Sequence, residues 1–169
     1  MYTTDKVYIG KLDRPPWSLF IAVTEQGLAF VGSDNGPKSE VESWAARKRP
    51  ESTLVDDQDR IAPYVSQLEE YLDGERKAFE MPLDLSGTPF QQQVWTALTE
   101  IPYGRTAAYS EVAGKIGRPR AVRAVGAAIG ANPVMVAVPC HRVIGKNGKM
   151  TGYRGGLAMK QKLLELEQG

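Results

Sequence analysis

A Ser-Gly-Thr-Pro cluster at positions 86–89 divides the chain into two parts of different character. After it, apolar residues recur at helical spacing. Before it, strands are indicated by three runs rich in β-branched and aromatic residues, at positions 8–12, 17–24 and 28–33. Because clusters of this composition are typical of loops between elements, we expect an α+β chain of two domains, residues 1–85 and residues 86–169.

The first half is predicted to be a small antiparallel sheet with two helices. The link at positions 25–27 contains glycine and is short enough to join the second and third strands as a hairpin. Apolar spacing predicts helices over residues 39–47 and 63–72, and Gly74 ends the second. No catalytic pattern is found in this half, so we expect it to complete the fold and shield the site.

The second half is predicted to be mostly helical. Thr88 caps its first helix, and Pro89 takes the first helical position. Two short helices follow, over residues 109–116 and 120–130, with Gly117 in the tight turn between them, which is the form of a helix-turn-helix. The second of these helices is rich in alanine and glycine. Packing against another helix explains such residues at least as often as contact with DNA does.

An amphipathic helix over residues 157–167 is predicted to follow a glycine turn. Lys160 and Glu167 are polar groups in this helix that are available for other roles. The residues expected to anchor it are Leu157, Leu163, Leu164 and Leu166.

The chain has one cysteine and one histidine. One cysteine forms neither an internal disulfide nor a cysteine-based zinc cluster, which suits a reducing compartment. No apolar run approaches the roughly 20 residues of a membrane span, and residues 1–6 lack the basic-then-apolar pattern of a signal peptide. We therefore expect a soluble, cytoplasmic protein with no metal and no cofactor.

The two halves differ in charge although the net charge is only +1. Residues 1–80 carry 10 Lys and Arg against 15 Asp and Glu, whereas residues 81–169 carry 11 against 5. A basic half suggests a polyanionic partner, because Lys and Arg neutralise phosphates. Attraction between the two halves is an equally simple explanation.

The two residues that occur only once are adjacent, Cys140 and His141, at the end of an apolar stretch. A thiol attacks as its thiolate, so a reactive cysteine needs a base or a positive field nearby. In an ideal strand adjacent side chains point to opposite faces, so these two meet only if the backbone turns or a water bridges them. Pro139 is typical of a strand end. The local sequence is equally compatible with an inert core cysteine.

Several short motifs, in this order and spacing across residues 88–167, resemble the O6-alkylguanine-DNA alkyltransferases of the single-cysteine type found in bacteria and archaea. Residues 1–80 match this family loosely. The motifs are Tyr-Ser-Glu-Val-Ala at 109–113, Arg-Ala-Val-Gly at 123–126, Asn-Pro at 132–133, Pro-Cys-His-Arg-Val at 139–143 and Gly-Gly-Leu-Ala at 155–158 with Lys160. The resemblance implies an N-terminal ribonuclease-H-like domain and a C-terminal domain with a winged helix-turn-helix-like motif that binds DNA.

The resemblance also implies a reaction that each protein molecule performs once. Cys140 takes the alkyl group from O6 of a flipped guanine and keeps it, His141 accepts the thiol proton through a water, and Glu167 orients His141. Tyr109 donates to the leaving guanine with help from Lys160. The remaining residue of the implied catalytic set is the hinge residue Asn132.

The implied partner is double-stranded DNA that contains O6-alkylguanine, with O4-alkylthymine left open, and the implied state is a monomer away from membranes. Arg123 would take the vacated place in the base stack while its helix lies in the minor groove. The residues implied to bind DNA are Arg118, Arg120, Ala121, Arg123, Ala124, Gly126, Ala127 and Gly130. The residues implied to form the pocket are Met135, Pro139, Val143, Tyr153, Arg154, Gly155 and Gly156.

Arg154 departs from the vertebrate members, which have a small serine at this position. A long cation here would narrow the pocket against bulky adducts or swing out to a phosphate. The vertebrate structural zinc site has no counterpart among the residues of this sequence, and the phosphate-sensing zinc domain of some bacterial relatives is also missing from it.

Three other functions remain open at this point. An alkyltransferase-like protein would bind the lesion without repair, but such relatives lack the cysteine that this chain has. A helix-turn-helix regulator would explain the basic half and leave the Cys-His pair without a role. A cysteine hydrolase would normally take its histidine from elsewhere in the sequence.

Overall fold

The computed structural model describes residues 5–169. The chain divides into two compact units, Met1–Ser86 and Gly87–Gly169. Within the described residues, no helix is both long and apolar enough to cross a membrane.

The first unit contains a four-stranded sheet in the order β3-β2-β1-β4. The strands are β1 Lys6–Arg14, β2 Trp17–Thr24, β3 Gly27–Val31 and β4 Thr53–Asp56. The first three are antiparallel, as the hairpin pattern predicts, with Ile9 opposite Ala22 and Ala22 opposite Phe30. The prediction of a purely antiparallel sheet misses β4, which pairs with β1 in parallel. This strand is short and mostly exposed at the edge of the sheet, so its sequence lacks apolar alternation.

Two helices, α1 Lys38–Lys48 and α2 Gln58–Leu72, cover this sheet. Val7 and Ile9 pack with Trp44 of α1 in one apolar cluster. The alternate position Gly10 lies against Ile61 of α2, where a Cβ would overlap the isoleucine. Because alternate residues of a strand face opposite sides, α1 and α2 cover opposite faces of the sheet.

Helix α2 begins five residues before the predicted start at position 63. The Asp57 side chain accepts a hydrogen bond from the Arg60 backbone N–H and caps the helix. Pro63 therefore lies inside the helix rather than at its first turn.

The second unit is mostly helical, as predicted. Thr88 caps α3 and exchanges reciprocal hydrogen bonds with Gln91. Its elements are α3 Pro89–Thr99, β5 Ala107–Ala108, α4 Tyr109–Lys115, α5 Val122–Gly130, the 3₁₀ helix Cys140–Arg142, β6 Val143–Ile144 and α6 Leu157–Gln168. The two short strands pair in parallel, which the sequence does not predict.

Two details of the helices correct the sequence-based expectations. Helix α5 begins at Val122 rather than at position 120. Leu157, expected to anchor α6, is 50% exposed, and Met159 is buried in its place. Leu163 is buried as expected, whereas Leu164 and Leu166 are half-buried.

Candidate active site

The segment before the cysteine is a pair of tight turns rather than a strand. The Ala137 N–H donates to the Met135 carbonyl at 2.9 Å, which closes a three-residue turn around Val136. Val136 has a φ of 75°, in the left-handed region that β-branched residues rarely occupy. It is also buried, so the surrounding packing holds this strained conformation.

We expect Val136→Gly to destabilise the protein less than Val138→Gly, by about 1–3 kcal/mol, the strain released when glycine occupies such a conformation. Val138 is a matched control because it is equally buried and has the same side chain, and its φ is not positive. Chemical denaturation of the two variants measures the difference. An equal or larger loss at Val136 would show that the turn carries no strain.

A second tight turn and the 3₁₀ helix bring Cys140 and His141 into one buried site. The Cys140 N–H donates to the Val138 carbonyl at 2.8 Å, around Pro139. The chain then enters the 3₁₀ helix, in which adjacent side chains are no longer directed to opposite faces as in a strand. The backbone therefore turns at these two residues, and both side chains are buried.

Asn132 ties the end of α5 to this segment. Its Nδ2 donates to the Val138 carbonyl and its Oδ1 accepts from the Val134 N–H, both at 2.9 Å. The side chain is 1% exposed, so both hydrogen bonds are shielded from water. Asn132 thus fixes the turns that place Cys140.

A buried carboxylate connects the histidine with an arginine. His141 Nε2 lies 2.7 Å from Glu167 Oε2. Arg142 donates to both oxygens of Glu167, from Nε at 2.8 Å and from Nη2 at 3.0 Å, and the Gly104 N–H donates to Oε1 at 3.2 Å. A carboxylate paired with a guanidinium only accepts hydrogen bonds. Nε2 of neutral His141 therefore carries the hydrogen, and Nδ1 is the nitrogen with a lone pair.

Burial lowers the pKa of His141 from its ordinary value of 6.5, and the positive charges of Arg142 and Lys160 lower it further. The hydrogen bond and the negative charge of Glu167 act in the opposite direction without reversing the shift. Neutral imidazole is consequently the form of His141 at neutral pH, and neutral imidazole is the form that accepts a proton.

Burial raises the pKa of the Cys140 thiol, while hydrogen bonds from Asn132 and Tyr153 and the charges of Arg154 and Lys160 lower it in part. The net direction is upward. The resting residue is therefore a protonated thiol, and it needs a base to become a nucleophile.

A polar chain runs from α6 to α4. Lys160 Nζ donates to the Val143 carbonyl at 2.6 Å and to the Thr151 carbonyl and hydroxyl at 3.2 Å. Thr151 Oγ1 lies 2.7 Å from the Tyr109 hydroxyl. Although Lys160 is 1% exposed, its ammonium has three acceptors, and burial lowers its pKa.

Close packing shapes the walls beside the cysteine. A Cβ at Gly155 would lie 2.5 Å from Met159 Sδ and 3.3 Å from Met135 Cε, so a larger residue there would require these methionine side chains to shift. Tyr153 lies on the same wall, 3.1 Å from that position. Pro139 and Val143 are buried, whereas Gly156 is exposed and has a φ of 94°.

Arg154 ties this wall to the hinge. Its Nε donates to the Asn132 carbonyl at 3.3 Å and its Nη2 to the Pro133 carbonyl at 3.2 Å. The guanidinium therefore links the loop of the pocket to the segment that follows α5. In this arrangement backbone carbonyls hold the guanidinium, and whether it narrows the pocket or contacts a phosphate stays a prediction.

The residues expected to bind DNA occupy the outer side of α5 and the turn before it. Arg118 and Arg120 in the turn are exposed, and the Arg118 guanidinium lies over the Phe90 ring at 5.8 Å. Gly126 is half-buried, and a Cβ there would lie 3.8 Å from the Tyr109 ring. Ala121 is also half-buried. The exposed residues of α5 itself include Arg123, Ala124, Ala127 and Gly130. Apart from Val122 and Arg123, the exposed residues of α5 are alanine and glycine.

Sequence reasoning missed Thr151 and Gly104 as parts of the site, and it considered Arg142 only as a source of positive field beside Cys140, not as a partner of Glu167. Arg142 carried a detectable signal, since an arginine inside the apolar block at 134–144 needs a buried anion as partner. Thr151 and Gly104 carried no such signal, because their contacts depend on distant segments. Among the described residues, no group of three His, Cys, Asp or Glu side chains is placed to hold a metal ion.

Comparison with known proteins matches both units of the chain. The 6-O-methylguanine DNA methyltransferase ribonuclease-like domain matches residues 7–85, and the 6-O-methylguanine DNA methyltransferase DNA binding domain matches residues 89–169. The inducible methylated-DNA–protein-cysteine methyltransferase of Bacillus subtilis is 57% identical over 152 residues, which cover 90% of this chain and 85% of the relative. A methylated-DNA–protein-cysteine methyltransferase of Methanosarcina acetivorans is 44% identical, over 95% of this chain and 98% of the relative.

Solved structures agree with these matches. The crystal structure of Mycobacterium tuberculosis O6-methylguanine methyltransferase superposes with a TM-score of 0.79 at 42% identity, covering 96% of this chain and 93% of that one. The Mycobacterium tuberculosis OGT in complex with DNA superposes with a TM-score of 0.80 at 41% identity, covering 96% and 92%.

Proposed function

Because the chain belongs to the 6-O-methylguanine DNA methyltransferase family, it repairs DNA by direct reversal, and we propose that Cys140 is the residue that accepts the alkyl group. One observation carries the assignment to this residue. The only cysteine of the chain lies in a buried site beside the only histidine. The Nε2 atom of this histidine is hydrogen-bonded to Glu167. The partner is double-stranded DNA that contains O6-alkylguanine.

In the proposed reaction, the Cys140 thiol gives its proton through a bridging water to Nδ1 of His141, and the sulfur attacks the alkyl carbon of O6-alkylguanine. The S–C bond forms as the C–O6 bond breaks, and guanine leaves with the electron pair of that bond. A proton from the Tyr109 hydroxyl neutralises the leaving guanine, and the proton taken from the thiol returns to the tyrosine through water, so the net products are an S-alkyl cysteine and unmodified guanine. Because the thioether persists, each molecule reacts once.

Tyr109 is the proposed donor toward the leaving guanine, with its hydroxyl positioned by Thr151. The Lys160 ammonium acts on Tyr109 through Thr151, since Lys160 Nζ contacts Thr151 and not the tyrosine hydroxyl directly. Lys160 is therefore proposed as a positioning residue. Its three acceptors, which come from two segments of the chain, suit that role.

Base flipping is proposed to involve the outer side of α5. A base inside a duplex is out of reach of Cys140, which is 4% exposed. The exposed small residues of α5 permit close approach to a groove, and Arg123 projects from the same side to fill the gap in the stack. Arg118 and Arg120 would contact phosphates.

We further propose that the protein acts as a monomer in the cytoplasm, where DNA and a reducing environment for Cys140 occur together. The regulator and hydrolase alternatives explain fewer residues. Neither gives a role to the polar chain from Lys160 to Tyr109 together with the Cys140 site.

The pH dependence of the reaction tests the role of His141. Because burial lowers the pKa of His141 below 6.5, we expect the single-turnover rate to stay level near neutral pH and to fall to half only below pH 6.5. The rate is measured between about pH 5 and pH 9, with duplex binding measured in parallel at each pH. A rate that climbs steadily above neutrality would mean that a free thiolate reacts without the histidine.

A further inference from the structure

Arg142 is fully engaged within the buried site, and the reaction proposed above gives it no role. It is 7% exposed. Besides its two hydrogen bonds to Glu167, its Nη1 donates to the Ile101 carbonyl at 2.6 Å, and its guanidinium lies 5.6 Å from the centre of the Tyr103 ring. A cation desolvated to this degree is costly unless every contact is favourable.

The contacts place Arg142 and His141 on the same carboxylate. Glu167 Oε2 lies 2.7 Å from His141 Nε2 and 3.0 Å from Arg142 Nη2. In a cysteine–histidine–carboxylate site the carboxylate normally stabilises the imidazolium that forms when histidine takes a proton. Here a guanidinium already offsets that negative charge, and it adds a positive charge close to the ring.

We propose that Arg142 is a positioning residue of the alkyl-transfer site: it holds the Glu167 carboxylate in place and offsets its charge, so that His141 remains neutral in the resting protein. The proposal deepens the function proposed above and rests on it for its consequence in repair. The proposed effect is on the protonation of His141 in the free protein, so it can be tested without DNA.

In the part of the chain that the structure describes, charged and titratable groups lie near His141 on helix α6 and on the 3₁₀ helix. Helix α6 contributes Glu167 and Lys160, and the 3₁₀ helix contributes Arg142 and Cys140. Tyr103 lies beside Arg142, and helix α3, which also packs here, contains no titratable side chain. Glu167 is thus the anion that favours a charged His141, and Arg142 contacts it directly.

Neutral His141 has two consequences for a protein that reacts once. The imidazole is ready to accept the thiol proton as soon as a flipped base arrives. The site also does not hold a preformed thiolate–imidazolium pair, so Cys140 is less reactive toward electrophiles that reach it without DNA.

The experiment is a pH titration of the His141 Cε1–H NMR signal, in protein without a histidine tag. Because the chain has one histidine, the signal needs no assignment. We expect Arg142→Gln to raise the midpoint by roughly one pH unit or more, and Arg142→Lys, which keeps the charge, to stay close to the wild type. Arg154→Gln is the matched control, since Arg154 contacts backbone carbonyls rather than Glu167, and it should leave the midpoint unchanged.

An unchanged or lower midpoint in folded Arg142→Gln would overturn the proposal. If that variant does not fold, the wild type alone still tests it, because the midpoint must lie below 6.5 and ¹⁵N shifts must show the Nε2–H form of the ring. A higher midpoint or the Nδ1–H form would also overturn it.

Alkyl transfer is measured separately by mass spectrometry. A protein that fails to take up the alkyl group would refute the proposed function and leave the titration result standing. In an active Arg142→Gln variant, the pH of half-maximal rate should move upward together with the NMR midpoint. A profile that stays in place while the NMR midpoint moves would remove the link between Arg142 and the reaction.

Discussion

Replacing Cys140 with alanine is expected to abolish alkyl transfer completely, because the chain has no second cysteine to accept the group. After incubation with a duplex that contains O6-methylguanine, the wild type should gain the mass of one methyl group on the Cys140 peptide and saturate at one equivalent. The alanine variant should gain none. Cys140→Ser is a closer control, since it replaces the thiol with a hydroxyl of similar shape and removes the soft sulfur nucleophile.

The wild-type result separates the alternatives. Tight binding to the damaged duplex without any change in mass would indicate a protein that recognises the lesion and leaves it in place. Equal binding to damaged and undamaged duplexes, again without a change in mass, would favour a helix-turn-helix regulator.

Replacing Arg123 with alanine is expected to slow transfer from duplex DNA by roughly a hundredfold, since unstacking a base costs a few kcal/mol and Arg123 would offset part of that cost. Reaction with the free base O6-methylguanine should change little, because a free base needs no flipping. Single-turnover rates on the two substrates give the comparison.

Arg120→Ala is the matched control for this effect. Arg120 is also exposed but lies in the turn before α5, where a phosphate contact would contribute mainly a salt-dependent affinity. The Arg120→Ala substitution should weaken binding to all duplexes, and this loss of affinity should become smaller at higher salt. An equal loss on duplex and free base in Arg123→Ala would remove Arg123 from the flipping step.

The elements that could be predicted from sequence are those whose signals are local. Helix α3 is predicted by a cap, a proline and an apolar stripe within eleven residues of one another. The first three strands carry their own alternation and turns. Strand β4 has neither, because a short exposed edge strand is defined by its partner rather than by its own residues.

The residues of the site also divide into those with a local sequence signal and those without one. Cys140 and His141 are adjacent, and the family resemblance supplied Glu167 and Tyr109. The connection between Arg142 and Glu167 spans 25 residues, so no window of sequence contains it. The unusual backbone at Val136 was also not predictable, because valine is ordinarily a strand residue and only tertiary packing imposes a positive φ.

The chain has three tryptophans, and only Trp95 lies in the second unit. This residue is 1% exposed, and its indole N–H donates to the Ala128 carbonyl of α5 at 2.8 Å. The indole is thus bonded to the backbone of the helix that we expect to meet DNA. With Trp17 and Trp44 replaced by phenylalanine, its fluorescence becomes an intrinsic optical reporter of α5, able to follow DNA binding in real time without an attached dye.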